Sequence, residues 1–169
     1  MKLATILQEH AGPPVNIEGI IRSLGIKLDK RADLDPEISG QCERLDDGTY
    51  KISANKSDHY YRQRFTMAHE LGHFLYHSHL LQDGVDDNRA YRSTTDGQFY
   101  NRLIGKDQET EANQFAASVL MPKQAVLDAW GRLQDLASIS EEFQVSRPAM
   151  RIRLSTLGVD CPDFHRRTP

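Results

Sequence analysis

The feature that most constrains this chain is the run from Arg62 to His77, RQRFTMAHELGHFLYH. It holds no proline and one glycine, and Phe65, Ala68, Gly72, Leu75 and Tyr76 recur at the spacing of one helix face. The spacing therefore predicts a helix, and on a helix His69 and His73 lie one turn apart and point the same way. Two imidazoles so placed can bind one Zn²⁺ at about 2.0–2.1 Å each. Glu70, rotated by roughly 100° from His69, can reach a water on that metal. Two histidines beside an apolar stripe would be costly to bury without a partner, which argues against a mere pair of surface histidines.

A third ligand is sought downstream. Residues 109–120, ETEANQFAASVL, read as a second helix stopped near Met121-Pro122, with Ala112, Phe115, Ala116, Val119 and Leu120 as its apolar face. At 100° per residue, Glu109 falls about 50° from the centre of that face and Glu111 about 110° away. Glu109 is thus the expected third ligand, completing a two-histidine, one-glutamate site with an open position for water. Glu111 is kept as the alternative. Both glutamates would also suit a helix N-terminus for electrostatic reasons alone. Asn113, one turn beyond Glu109, is placed to orient a ligand histidine. His10, His59 and His165 show no ligand spacing, His79 falls past the helix end, and His77, one turn beyond His73, either supports a ligand or lies at the surface; the ordinary reading is taken for all five.

Around these helices the pattern is α+β. Residues 1–10 suit a short helix ended by Gly12-Pro13-Pro14, and Asn16 is a plausible cap for a helix over 17–24 closed by Gly25. Residues 26–29 alternate like a strand, and 38–44 and 49–53 flank Asp46-Asp47-Gly48 as a hairpin. Ser57 or Asp58 is the expected cap of the metal helix. The segment Ile52-Ser53-Ala54 is nominated as an edge strand able to pair with an extended substrate. Residues 80–108 turn polar and read as a long loop forming one wall of a cleft. Tyr91, Arg92, Tyr100 and Arg102 are its candidate substrate contacts.

The C-terminal part shows helical spacing in Leu127, Trp130, Leu133, Leu136 and Ala137. Two short helices then follow, hinged at Gln144-Val145 with Ser146 as N-cap, in the manner of a helix-turn-helix. Arg147 and Arg151 share a face there, yet residues 132–169 carry six arginines against five acids. That balance is too weak for a DNA reader, so direct nucleic-acid binding is not expected. The expected organisation is a core over 1–125 with a helical segment, 126–169, packed on it.

Bulk properties fit an ordinary soluble domain: net charge is -3 with 27% charged residues. No stretch reaches the roughly 18 apolar residues of a membrane span, and the first residues lack a signal-peptide core. Cys42 and Cys161 match no metal-ligand spacing and read as reduced thiols. A cytoplasmic protein without membrane association is the expectation.

Taken together, the HExxH run of zinc peptidases, the 109–122 segment and the closing Phe143–Ser146 and Arg151–Leu154 segments resemble the ImmA/IrrE family of metallopeptidases. The resemblance covers most of the chain. It implies a compact zincin-like α+β fold with a small, mostly antiparallel sheet, in a bacterial or phage cytoplasmic protein. It further implies His69 and His73 as zinc ligands, Glu70 as general base and Glu109 as third ligand. The implied activity is endoproteolysis of a regulatory protein, a helix-turn-helix transcriptional repressor being the expected partner. Two other classes compete with it. One is a non-catalytic zinc-containing regulator acting by protein binding, and the other a DNA-binding regulator using the C-terminal helices. Against a purely structural metal, such sites usually have four protein ligands and need no base such as Glu70.

Overall fold

Helix α1 (Leu3–Glu9) stops ahead of Gly12-Pro13-Pro14, and α2 (Ile17–Ser23) begins at the expected cap in this computed structural model. The structure describes residues 2–81, 90–94 and 105–161. Asn16 Oδ1 accepts the Gly19 N–H at 2.9 Å, which satisfies one of the donors that a helix start leaves without an intrahelical partner. Ile17, Ile20 and Ile21 form the inward face of α2 and are fully buried. Gly25, at φ +76°, then turns the chain through a left-handed conformation open to glycine into β1 (Lys27–Ala32).

The Asp46-Asp47-Gly48 signal makes the expected hairpin between β2 (Ile38–Arg44) and β3 (Tyr50–Asn55). Asp47 Oδ1 accepts the Thr49 N–H at 2.9 Å, and Leu45 N–H bonds Thr49 O at 2.8 Å. A fourth strand, β4 (Ala90–Thr94), lies inside the stretch read as one long loop. The strand order is β1-β3-β2-β4, with β1 and β3 parallel and the other two pairings antiparallel. The fold is α+β, as the pattern predicts.

One expectation is overturned here. Ile52-Ser53-Ala54 is not an edge: Ile52 sits opposite Leu28 of β1 on one side and Cys42 of β2 on the other. A hairpin signal identifies one neighbour of a strand; the second arrives by a crossover that local alternation does not record. Among the described residues the outer strands are β1 and β4. Tyr91 and Arg92 belong to β4, whereas Tyr100 and Arg102 lie outside the described residues.

Helix α3 (Tyr60–His77) crosses the sheet, and its start differs from expectation. His59, rather than Ser57 or Asp58, is the N-cap, its Nδ1 accepting the Tyr61 N–H at 3.2 Å. The reason lies one turn upstream. Asn55 Oδ1 takes the Ser57 N–H at 3.1 Å while its Nδ2 donates to Ile38 O at 2.8 Å, holding the connection as a turn. The helix is also buried more widely than its apolar stripe suggests. Met67, Ala68 and Leu71 are fully buried, whereas Tyr76 is 52% exposed. Buried polar side chains on α3 are stitched to backbone elsewhere. Gln63 Nε2 donates to Asn55 O at 2.7 Å, and Arg64 Nη2 and Nε donate to Val15 O at 2.9 Å and Gln144 O at 3.2 Å. Each bond satisfies a group that would be costly to bury alone. Gly40 on β2 lets the helix come close: a Cβ there would collide with Thr66 Cγ2 and lie 2.9 Å from Ser53 O.

Helix α4 (Lys106–Leu120) starts three residues before the expected position and packs along α3. It is followed by α5 (Lys123–Leu133), α6 (Leu136–Phe143) and α7 (Arg147–Thr156). On α5 the buried positions are Val126 and Ala129, with Leu127, Trp130 and Leu133 partly buried. Asp135 caps α6, and Ser146 caps α7 as expected, accepting the Ala149 N–H at 3.2 Å. The α6–α7 corner turns at Gln144, φ +52°. Phe143, Met150 and Leu154 join one apolar cluster with Ile17, Met67 and Leu120, so the C-terminal helices share the main core. Among the described residues no helix is long and apolar enough to cross a membrane.

Candidate metal centre

The contact between α3 and α4 positions the site. A Cβ at Gly72 would lie 3.1 Å from Ala112 Cα, 3.2 Å from Phe115 Cδ1 and 3.3 Å from Ala112 O. Glycine there lets the two backbones approach closely. Residue 109 is one turn before Ala112, so this approach sets its carboxylate over the two histidines. His69 Nε2 and His73 Nε2 are 3.0 Å apart, with Glu109 Oε1 3.1 Å from His73 Nε2 and Glu109 Oε2 3.3 Å from His69 Nε2.

This donor set fits one divalent cation. Tetrahedral ligands at about 2.0–2.1 Å from an ion stand about 3.3 Å from one another, close to the separations found. Among the described residues these three form the group with metal-binding spacing. The helical phase of α4 brings Glu109 into this group, which does not include Glu111. The outer ring nitrogens are also engaged. His69 Nδ1 is 2.9 Å from Asn113 Oδ1, as the sequence suggests. An amide oxygen only accepts, so Nδ1 carries the proton and Nε2 can present a lone pair to the cluster.

Burial and mutual contact shift the three groups in different directions. Burial pushes the Glu109 carboxyl up, yet hydrogen bonds to His69 and His73 and their charges bring it down to about 2. Burial likewise opposes protonation of His69, but its bond to Glu109 and the charges of Glu70 and Glu109 outweigh it and raise His69. His73 moves the other way: burial dominates, the neighbouring His69 and His77 add to it, and the bond to Glu109 does not compensate. The opposite directions are consistent, because a proton on His69 excludes a second one from the ring beside it.

Glu70 is fully buried. Its Cγ is 3.6 Å from the position a Cβ would take at Gly40, so it lies between α3 and β2. Its charge reaches His69 on one side and, after burial, helps raise the Cys42 thiol on the other. Cys42 and Cys161 are both free thiols.

Sequence reasoning set aside one participant. His77, read as ordinary, is 4% exposed, with Nδ1 3.1 Å from His73 Nδ1 and Nε2 3.0 Å from Glu111 Oε2. The available signal was its position one turn beyond a ligand. Of the remaining histidines, those among the described residues stay outside the site. His10 Nε2 is 3.1 Å from Ser23 Oγ, His59 caps α3, His79 sits in the short turn Ser78–Leu81, and His165 lies outside the described residues.

Two histidines one helical turn apart, a carboxylate from a neighbouring helix and a small mixed sheet beneath them are compatible with a metal centre of the metallopeptidase type. The family model of peptidase family M78, the IrrE N-terminal-like domain, matches residues 21–155. The chain belongs to this family, in agreement with the ImmA/IrrE resemblance of its motifs. The match runs from the end of α2 into α7, so it takes in the C-terminal helices as well as the ligand helices. No curated protein matches the chain.

Proposed function

We propose that this protein is a zinc-dependent endopeptidase that cleaves a regulatory protein, a helix-turn-helix transcriptional repressor in the cytoplasm. The observation that carries this reading is the convergence of His69, His73 and Glu109, with Glu70 fully buried beside them. Three protein ligands of this kind suit a catalytic zinc, whose fourth position is left for water or substrate. A zinc ion held there supplies Lewis acidity, making a water acidic near neutral pH and polarising a carbonyl.

The chain's own residues account for the remaining work. His69 and His73 hold their Nε2 atoms toward one point, and Glu109 balances the charge. Glu70 takes a proton from the attacking water onto its carboxylate and returns it to the amine that leaves, so one group serves as base and then acid. Its place between α3 and β2 limits competing water around that proton. Gly40, next to Glu70, is paired with Ser93 of β4, so the outer edge of β4 is one strand away from the base. An extended peptide added to that edge would have its backbone held by main-chain hydrogen bonds. This assigns to β4 the role first expected of Ile52-Ser53-Ala54.

The test is a Glu70→Gln capture followed by intact-mass measurement. Glu70→Gln keeps size and polarity but removes the base, so it should retain zinc and partner while leaving the partner whole. Co-expressed wild type should split the captured partner at one or a few sites. If both forms leave it intact while both relieve repression, the protein acts by binding and the enzymatic reading fails.

A further inference from the structure

His73 is held from behind by a chain that ends at the surface. Its Nδ1 faces His77 Nδ1 at 3.1 Å, and His77 Nε2 faces Glu111 Oε2 at 3.0 Å. The His77 ring is buried, while the Glu111 side chain is 62% exposed. We infer that His77 and Glu111 are positioning residues that hold His73 in its metal-binding tautomer, with the proton on Nδ1 and the lone pair on Nε2. This rests on the zinc centre proposed above.

The polarity of the chain follows from donor and acceptor counting. A carboxylate only accepts, so the His77 Nε2 beside it carries a proton. In the proposed relay His77 is neutral, so its single ring proton sits on Nε2 and Nδ1 keeps a lone pair. Two facing nitrogens at 3.1 Å need one proton between them, and it must come from His73 Nδ1. His73 Nε2 is then left with its lone pair, aimed at the point it shares with His69 and Glu109. In the opposite tautomer a bare His77 nitrogen would face the Glu111 charge. A negative charge at the surface thus selects the state of a buried ligand two rings away.

The two ligand histidines are oriented by different devices. His69 relies on the amide oxygen of Asn113 directly. His73 relies on an ionised group acting through a second imidazole. Ligand histidines commonly donate their other N–H to a carboxylate, and losing such a partner costs about 10–100-fold in metal affinity. Here His77 extends that link to Glu111 on α4.

The test combines Zn²⁺ affinity, by competition with a chromophoric chelator, with ¹⁵N NMR of the histidine rings in the metal-free protein. His77→Leu should weaken zinc binding about 10–100-fold. His77→Gln should recover most of that loss, because its side-chain oxygen can accept from His73 Nδ1. Glu111→Ala should cause a smaller loss and convert His73 from one tautomer to a mixture. A folded His77→Leu with unchanged affinity, or equal losses for Leu and Gln, overturns the inference. If the His77 variants do not fold, Glu111→Ala, altered at an exposed position, decides by the same two readouts. A wild type that fails to hold zinc would overturn the enzymatic reading, while the His73 tautomer in the metal-free protein still decides the relay.

Discussion

Gly72→Ala tests how the α3–α4 contact shapes the site, because the sign of its effect separates two physical accounts. In an unencumbered helix, alanine is favoured over glycine by about 0.5–1 kcal/mol. At Gly72 the added methyl would meet Ala112 Cα at 3.1 Å, Phe115 Cδ1 at 3.2 Å and Ala112 O at 3.3 Å. Two of these three atoms are backbone, so rotating one side chain does not relieve the contact, and α4 must shift by a few tenths of an ångström. Overpacking of this kind costs about 1–3 kcal/mol, which exceeds the gain in propensity. The net expectation is a loss of about 1 kcal/mol, or roughly 2–4 °C in melting temperature for a chain of this size. Glu109 rides on α4 one turn from the contact, so zinc affinity should fall as well. Thermal unfolding is measured on metal-free protein, because bound metal adds stability of its own; chelator competition then gives the affinity. A variant that melts higher than wild type and binds zinc equally well would refute the close-approach account.

Four further outcomes follow from the structure. His69→Ala combined with His73→Ala should abolish stoichiometric zinc in metal analysis, and Glu109→Ala should weaken binding more than Glu111→Ala does, since only Glu109 faces both Nε2 atoms. Asn16→Ala should destabilise the fold by about 1 kcal/mol in denaturant unfolding, because the Gly19 N–H loses its acceptor. Asp47, held down to about 2 by hydrogen bonds from Thr49 and by Lys27, supplies stability that is complete above the usual carboxylate range and is lost as pH falls toward 2. Asp47→Asn should therefore flatten acid unfolding in that window, as followed by circular dichroism.

Much of this protein is legible along the chain because the determinants are local. His69, Glu70 and His73 are placed by the helical repeat alone, and the same repeat turns Glu109 toward them and Glu111 away. Asn113 follows from the same phase. Asn16 and Ser146 act as caps because a short side chain there reaches a backbone N–H within three residues. Asp46-Asp47-Gly48 makes its hairpin because the turn is closed by its own neighbours. The tertiary structure decided what depends on distant partners. Whether β3 is an edge was settled by β1, which reaches it by a crossover, so Ile52-Ser53-Ala54 became interior and β4 took the outer position. The N-cap of α3 moved to His59 because Asn55 is engaged with Ile38, a residue brought beside it by the sheet. His77 acquired a role because α4 carries Glu111 to it across the helix interface. Helical and turn periodicities record how a side chain points relative to its near neighbours; which surface arrives opposite it is set by packing between segments far apart in the chain.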